Sequence, residues 1–504
     1  MPAELSQRIQ HILSIDPTKG AIEFKQQWYS WEQLKTAMDA LNAIFEQAQL
    51  PTGAAIAIVL RNRPAHVTAL LQTMLSDRCI VPINPFQSAD KIATDLEHVN
   101  APIILADQED WLKPEIAEFA NRAGAVAVSM TDATSGDISI KLFNETCSPA
   151  LENFCAPKPD TAILMLTSGT TGPAKRIQLS YASFEQSVMG AIRHYSKANS
   201  APQLKRGVSL LSGPLVHIGG MYFIFDSIAS GRAFCLLEKF NVHDWVTAVK
   251  QYKIKVASIP PTAIRMVLEA GTPKEDLASL VCIRSGSAPL PYELQENFEA
   301  LYGIPLLDIY GATEFSGAIA GWTIEDHQQY SKMKRGSVGR AQPGVELRVI
   351  NPEDDQELPL NTVGLLEVRS KQASNADWVR TTDLAELDED GFLFIRGRAD
   401  NAIIRGGFKI LPLEVEELIM QHPAVKTAAV LGIEDHRLGA VPVAGVELES
   451  GCAVSEVDLQ DYIRQHTVSY KVPTHIKVMT ELPRTPSMKV SIHELKKHFL
   501  AESA

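Results

Sequence analysis

Paired cysteine is what this sequence most conspicuously lacks. Its six cysteines, Cys79, Cys147, Cys155, Cys235, Cys282 and Cys452, lie far apart, form no CxxC and stand beside no histidine at metal-ligand spacing. A disulfide framework and a structural zinc site are thereby excluded, and a reducing cytoplasm is the expected location. No segment approaches the ~18–20 unbroken apolar residues of a membrane-spanning helix. The N-terminus MPAELSQRIQHIL has an early acid and no apolar run of h-region length, so no secretory signal is expected. Basic charge is also short: 47 Lys and Arg face 60 Asp and Glu, a net charge of −13. Such a surface repels polyanions on average, which argues against a nucleic-acid partner and requires local devices for any anionic ligand. Repeats and low-complexity tracts are absent.

What is present describes an ordinary globular chain. At 504 residues, with domains of roughly 100–200 residues, two to four domains are expected. From about residue 54 to 310 short β-branched runs (55–60, 102–106, 162–166, 207–211, 255–259, 305–310) alternate with helix-like stretches such as 241–252 and 261–270. That alternation reads as βαβ units and buried parallel sheets. Around 336–369 glycine and proline punctuate short alternating strands, suggesting a small β-rich piece, and 351–362 reads as an acidic surface loop. A further α+β unit follows (strand 401–405, helix 412–421, strands 425–433 and 441–448, helix 456–466). The fold class expected is α/β: a large N-terminal domain of stacked, mostly parallel sheets flanked by helices (1–397, with the β subdomain at 336–397), a hinge at 398–401, and a small mobile α+β C-terminal domain (402–504).

The strongest chemical signal is Leu166-Thr-Ser-Gly-Thr-Thr-Gly-Pro-Ala-Lys175, a hydroxyl- and glycine-rich turn directly after a strand. Glycines let exposed backbone N–H groups approach a ligand, and Ser/Thr hydroxyls with a lysine complete a phosphate cradle. It is not a Walker A loop, which needs glycine before the lysine where Ala174 stands. A polar linker is the competing reading.

This loop resembles the phosphate-binding signature SGTTGxPKG of the adenylate-forming (AMP-binding) superfamily, which includes acyl-CoA ligases, carrier-protein adenylation domains and beetle luciferases. Ser168, Gly169, Thr170, Thr171, Gly172 and Lys175 are kept, beside Thr167, while Ala174 and Arg176 depart from the pattern. The resemblance extends along nearly the whole chain. Ser285-Gly-Ser-Ala-Pro-Leu290 is similar to the turn beside adenine and the acyl carboxylate, which implicates Gly286, Ser287, Ala288 and Pro289. Tyr310-Gly311-Ala312-Thr313-Glu314 matches YGxTE, implying that Thr313 contacts the α-phosphate and Glu314 helps to hold Mg²⁺. Gly336-Ser-Val-Gly339 with Pro343-Gly344 matches the stretch before the β subdomain. Trp378-Val-Arg-Thr-Thr-Asp383 resembles WYRTGD, implying a ribose-binding Asp383, with Thr382 in place of glycine. Gly397-Arg-Ala-Asp400 matches the hinge motif, with Arg398 near the ribose and Asp400 as pivot. Gly406 and Gly407 lie in the loop that resembles the family's thiol tunnel. Leu482 to Lys489 resembles PRTxxGK, whose lysine is catalytic, with Met488 where glycine is usual. His217, in Pro214-Leu-Val-His-Ile-Gly-Gly220, holds a position that gates the acyl pocket in the family, with Gly220 and Phe315 as further pocket residues.

The resemblance implies ATP-dependent activation of a carboxylic acid to an acyl-AMP, with Mg²⁺, and then transfer to coenzyme A. Each residue also has an ordinary reading: Lys489 as a surface lysine beside Lys496 and Lys497, Asp383 and Glu314 as turn acids, His217 as a buried structural histidine. The implied partners are a small-molecule acid, ATP and CoA. A stand-alone ligase loading a discrete carrier protein and a nucleotide-binding pseudoenzyme are the alternatives, with a luciferase-like oxygenase behind them. With no carrier-protein module expected after Lys489, coenzyme A is the favoured acceptor. The candidate pocket segments 217–223, 258–264 and 315–318 carry no Lys or Arg, which favours an apolar medium-chain or aromatic monocarboxylate. The loop Lys371 to Asp377 is shorter than is common in the family.

Overall fold

The computed structural model describes residues 3–132, 136–167, 175–195, 201–370, 377–485 and 488–500. Five sheets organise them. The largest has seven strands, with the fully buried Ala55–Val59 near its centre, flanked by Ile103–Asp107 and Cys79–Ile83. Those neighbours pair with it in parallel, and Val126–Asp132 and Thr161–Thr167 extend the parallel run on either side. Strands buried on both faces read as continuous apolar runs, which is why AIAIV and CIVPI lack alternation. Each edge is closed by an antiparallel strand, Ile138–Leu142 and Lys175–Ser180.

A second sheet of five strands runs Val256–Ser258, Cys282–Ser285, Leu306–Ala312, Gly317–Gly321 and Arg340–Ala341, parallel through its first three and antiparallel after. A third joins Val208–Leu211 and Ala233–Leu236 to the N-terminal hairpin Gly20–Phe24 and Gln27–Ser30. Residues before position 54 thus complete a core sheet. The helix Trp31–Gln47 starts on a capping box between Ser30 and Gln33 and buries Trp31, Leu34, Leu41 and Phe45. An antiparallel four-stranded sheet spans 345–398, as the change of texture predicts.

The last sheet is built on the long antiparallel pair Val425–Asp435 and Gly439–Leu448, covered by helices Pro412–Met420 and Glu456–His466 around its own apolar core. This C-terminal unit lies against the strand Leu393–Arg398 and against one helix of the N-terminal part, Pro261–Glu269. Glu269 pairs with Lys426 at 2.7 Å, Arg265 approaches Glu449 at 3.8 Å, and Thr262 donates to the Met488 carbonyl at 3.3 Å.

Candidate active site

A cleft of about 3640 Å³ opens between these units, and the C-terminal edges of several parallel strands deliver side chains into it. The strand Leu306–Ala312 ends in the short 3-10 turn Thr313–Phe315, which sets Tyr310, Thr313 and Glu314 on the cleft wall. Gly311 is obligatory here: a Cβ would lie 2.3 Å from the Gly317 carbonyl oxygen of the neighbouring strand. The adjacent strand Cys282–Ser285 runs in register with it, Ser285 opposite Asp308, and continues into the turn bearing Gly286, Ser287, Ala288 and Pro289. Ser287 sits at φ +73°, a left-handed conformation rarely adopted by a residue with a side chain. Burial pushes the Asp308 carboxyl up to about 8.

The antiparallel strands Val379–Leu387 and Leu393–Arg398 place Asp383 directly opposite Arg398. Tyr310 donates its hydroxyl to Asp383, tying the two candidate nucleotide strands together. Burial raises the Asp383 carboxyl and the Tyr310 hydroxyl bond acts against that rise. Arg398 forks onto Asp400 at 2.9 and 2.8 Å and donates to the Thr382 hydroxyl at 2.6 Å. Thr382 therefore replaces the usual glycine with an added acceptor for Arg398.

Lys489 enters the same cleft from the C-terminal unit. It is reached by water there, yet the surrounding walls hold its ammonium below the usual lysine range, and Arg398 adds to the effect. His217 faces it: burial and then the Lys489 charge push the imidazole down to about 4, and its buried Nε2 has no hydrogen-bond partner among the described residues. Met488 stands at φ +64°, the conformation for which glycine is the easy choice, and is held by the apolar cluster it packs against and by bonds from Thr262 and Arg484 to its carbonyl, both 3.3 Å.

His217 stands immediately before the helix Ile218–Ala229, whose face bearing Gly219, Tyr222, Phe223 and Asp226 lines the cleft. Its position depends on a residue the motifs do not flag. Asn62, 4% exposed, donates to the carbonyls of Gly213 and Leu237 at 2.8 and 3.0 Å and accepts from the Leu215 N–H at 2.8 Å, fixing the turn that leads to His217. Gly220 packs where a Cβ would lie 2.3 Å from the Pro214 oxygen.

Not every expected residue joins the cleft. Phe315 is 1% exposed and packs with Ile319, Val345 and Leu366 in the core of the β subdomain, so it is no wall of the acid pocket. Gly406 and Gly407, at φ +56° and +88°, form the turn between Ile403–Arg405 and Phe408–Ile410 and do not line the cleft, while Lys489 does. Thr167 and Lys175 are backbone register partners in the hairpin that brackets the phosphate-loop candidate. Ser168, Gly169, Thr170, Thr171, Gly172 and Ala174 lie outside the described residues, as do 371–376 of the shortened loop. Arg176, the other departure in that motif, pairs with Asp95 at 2.7 Å and donates to the Leu164 carbonyl at 3.0 Å, buttressing the edge strand. Glu314 directs an exposed carboxylate into the cleft and has no ion pair among the described residues.

The model for AMP-binding enzymes matches residues 10–376, and that for the AMP-binding enzyme C-terminal domain matches 414–489. The chain belongs to the AMP-binding enzyme family. This AMP-binding enzyme is 30% identical over 463 residues to a 2-succinylbenzoate–CoA ligase from Bacillus licheniformis, covering 88% of the chain and 90% of the relative. It superposes on o-succinylbenzoate coenzyme A synthetase (MenE) from Bacillus subtilis, solved with ATP and magnesium ion, with a TM-score of 0.78 and 27% identity over 98% of this chain and 99% of the other. The fold is shared with the amide bond synthetase McbA from Marinactinospora thermotolerans, at a TM-score of 0.80 and 21% identity over 98% and 100% of the two chains.

Proposed function

We propose that this AMP-binding enzyme is an AMP-forming acid–thiol ligase, which activates a carboxylic acid as its acyl-AMP with release of pyrophosphate and then transfers the acyl group to coenzyme A. The observation that carries this reading is the convergence of Lys489, His217, Arg398 and the Tyr310–Asp383 pair on one cleft from five separate stretches of chain. The relatives' names, with CoA as acceptor, support it.

The chemistry follows from charge. An acid carboxylate attacks the α-phosphorus of ATP, and the mutual repulsion must be offset as negative charge spreads over the phosphates. In this reading Lys489 bridges the carboxylate and α-phosphate, Thr313 meets the α-phosphate, Asp383 accepts from the ribose hydroxyls, Arg398 lies near the ribose, and the turn 286–289 with Tyr310, Gly311 and Ala312 lines the adenine. The loop 168–175 holds the leaving pyrophosphate. Because the His217 imidazole is neutral near pH 7, it shapes the acid site without adding a positive charge beside Lys489. Glu314, an acceptor-only carboxylate open to the cleft, fits a hard magnesium ion shared with the phosphates, and the ion would supply neutralisation of phosphate charge.

The acyl-AMP is a mixed anhydride that a thiol attacks at its carbonyl. Lys489 is in the cleft and Gly407 is outside it, so the second step is assigned to a rotation of residues 402–504 against 1–397 about the hinge 398–401, with Asp400 as pivot and Gly406 and Gly407 lining the thiol tunnel. The apolar cleft walls that include Val216, Tyr222, Ile259 and Ala318 favour an apolar medium-chain or aromatic acid, a monocarboxylate on those walls alone. A cytoplasmic location is proposed from the six free thiols. Among the described residues no helix is long and apolar enough to cross a membrane.

The test is pyrophosphate release from a panel of carboxylic acids with ATP and Mg²⁺, followed by thioester formation with CoA, a discrete carrier protein or an amine as acceptor. The amine arm answers to the shared fold of McbA. Release that requires acid, ATP and Mg²⁺ together, with thioester formed on CoA, is expected. Measurable ATP binding with no pyrophosphate from any acid would leave a nucleotide-binding pseudoenzyme.

A further inference from the structure

Along the cleft wall away from His217, the lining changes character. Helix Ile218–Ala229 presents Tyr222 and Phe223 first and Asp226 one turn later. At a rise of about 1.5 Å per residue, Asp226 lies roughly 12 Å along the helix from its first residue. Two cations delivered from the starts of neighbouring parallel strands act on its charge there: Lys205, shortly before Val208–Leu211, and Arg232, immediately before Ala233–Leu236. All three are half-buried and line the cavity. The segments are locked together by the Lys205 N–H bond to the Gly231 carbonyl at 2.7 Å, and the Arg232 guanidinium reaches over Gly207, 3.9 Å from where a Cβ would stand. Arg284 adds its charge from the strand Cys282–Ser285. Neither Lys205 nor Arg232 has an ion pair within 4 Å among the described residues.

We propose that Lys205 and Arg232, set about Asp226 on the cleft wall, form a subsite for a second carboxylate, so that the acid activated is a dicarboxylate with an apolar body. The inference rests on the adenylation reading above and names its substrate class. Two cations around one acid leave an uncompensated positive charge in a chain of net charge −13. Burial weakens even that one counter-charge, because it raises the Asp226 carboxyl, and it lowers the Lys205 ammonium, with Arg232 adding to the lowering. An incoming carboxylate relieves both cations through charge-assisted hydrogen bonds, about twice as strong as neutral ones. A site built around such bonds penalises the analogue that lacks the group, since its own charges then stay desolvated and unpaired.

The experiment measures pyrophosphate release with ATP and Mg²⁺ for aliphatic and aromatic dicarboxylic acids of graded length, their monomethyl esters, monocarboxylic acids of equal length, and ω-amino acids. For the best length, kcat/KM for the diacid is expected to exceed that of its monoester by about 10–100-fold, scaled down from fully buried sites because these cations are partly hydrated. Lys205→Gln and Arg232→Gln should collapse that ratio towards one, mainly through KM, and the charge reversal Arg232→Glu should shift preference towards the ω-amino acid. The reversal gains an activity, so it does not depend on a variant merely failing to fold. Equal or better use of the monoester at every length, or a ratio unmoved by the substitutions, overturns the subsite while pyrophosphate from monocarboxylates leaves the adenylation reading standing. Absence of pyrophosphate from every acid overturns both.

Discussion

If Lys489 acts only in adenylation, Lys489→Ala removes one transition-state charge interaction, a loss of about 10²–10³ in rate confined to that step. With chemically synthesised acyl-AMP supplied directly, the variant should still form acyl-CoA at near-parental rate; a rapid-quench comparison of the two half-reactions decides it. His217 offers a second residue-scale test through pH. Its folded-state value of about 4 lies below its ordinary 6.5, so between those values the unfolded chain binds a proton that the folded chain does not. Stability contributed by the neutral imidazole is therefore present above pH 6.5 and lost as the pH falls towards 4, with a slope of up to about 1.4 kcal/mol per unit. Urea melts of the parent and His217→Gln should differ in slope across that window and run parallel above it. At this scale the motifs point to Tyr310, Asp383, Arg398 and Lys489, which the structure brings to one cleft, because chemistry restricts the residue type at each position. Phe315 was misassigned because adjacency to Glu314 in sequence says nothing about which side of a tight turn faces the core. Lys205 and Arg232 come from two strand starts outside the pocket segments, and Asn62 is a hydrogen-bonding hub with no motif of its own, so the sequence marks none of the three.

Among the elements, Gly311 gives the sharpest expectation. Gly311→Ala places a Cβ against a neighbouring backbone oxygen that cannot move without its strand, so overpacking of about 1–3 kcal/mol should lower the thermal midpoint. The same shift displaces Tyr310 and Thr313, so ATP affinity measured by calorimetry should fall with it. The strands themselves were readable from their β-branched runs, including Ala55–Val59, Thr161–Thr167 and Val425–Asp435. Their partners were not. The hairpin Gly20–Phe24 and Gln27–Ser30 is short, and only pairing with Ala233–Leu236, some 200 residues away, makes it part of a buried sheet. Long-range pairing of this kind leaves no local periodicity. The departures Arg176, Thr382 and Met488 likewise became intelligible only through neighbours remote in sequence: Asp95, Arg398 and Thr262.

For the whole molecule, domain alternation predicts that Gly407→Trp is the mirror image of Lys489→Ala, with acyl-AMP formed normally and thioester formation blocked. Any side chain at φ +88° is strained, so Gly407→Ala serves as the control that carries strain without bulk. Equal loss of both half-reactions in Gly407→Trp, with an unchanged melt, would argue against alternation. The helix Pro261–Glu269 bears on this motion, since Thr262, Arg265 and Glu269 all reach the C-terminal unit from it. Two of those ties are ionic and partly exposed, and mobile ions screen such pairs over about 8 Å at physiological ionic strength and about 3 Å at 1 M. Added potassium chloride thus becomes a dial on the resting orientation of the C-terminal unit: raising it should slow pyrophosphate release relative to thioester formation, and Glu269→Gln should flatten that response.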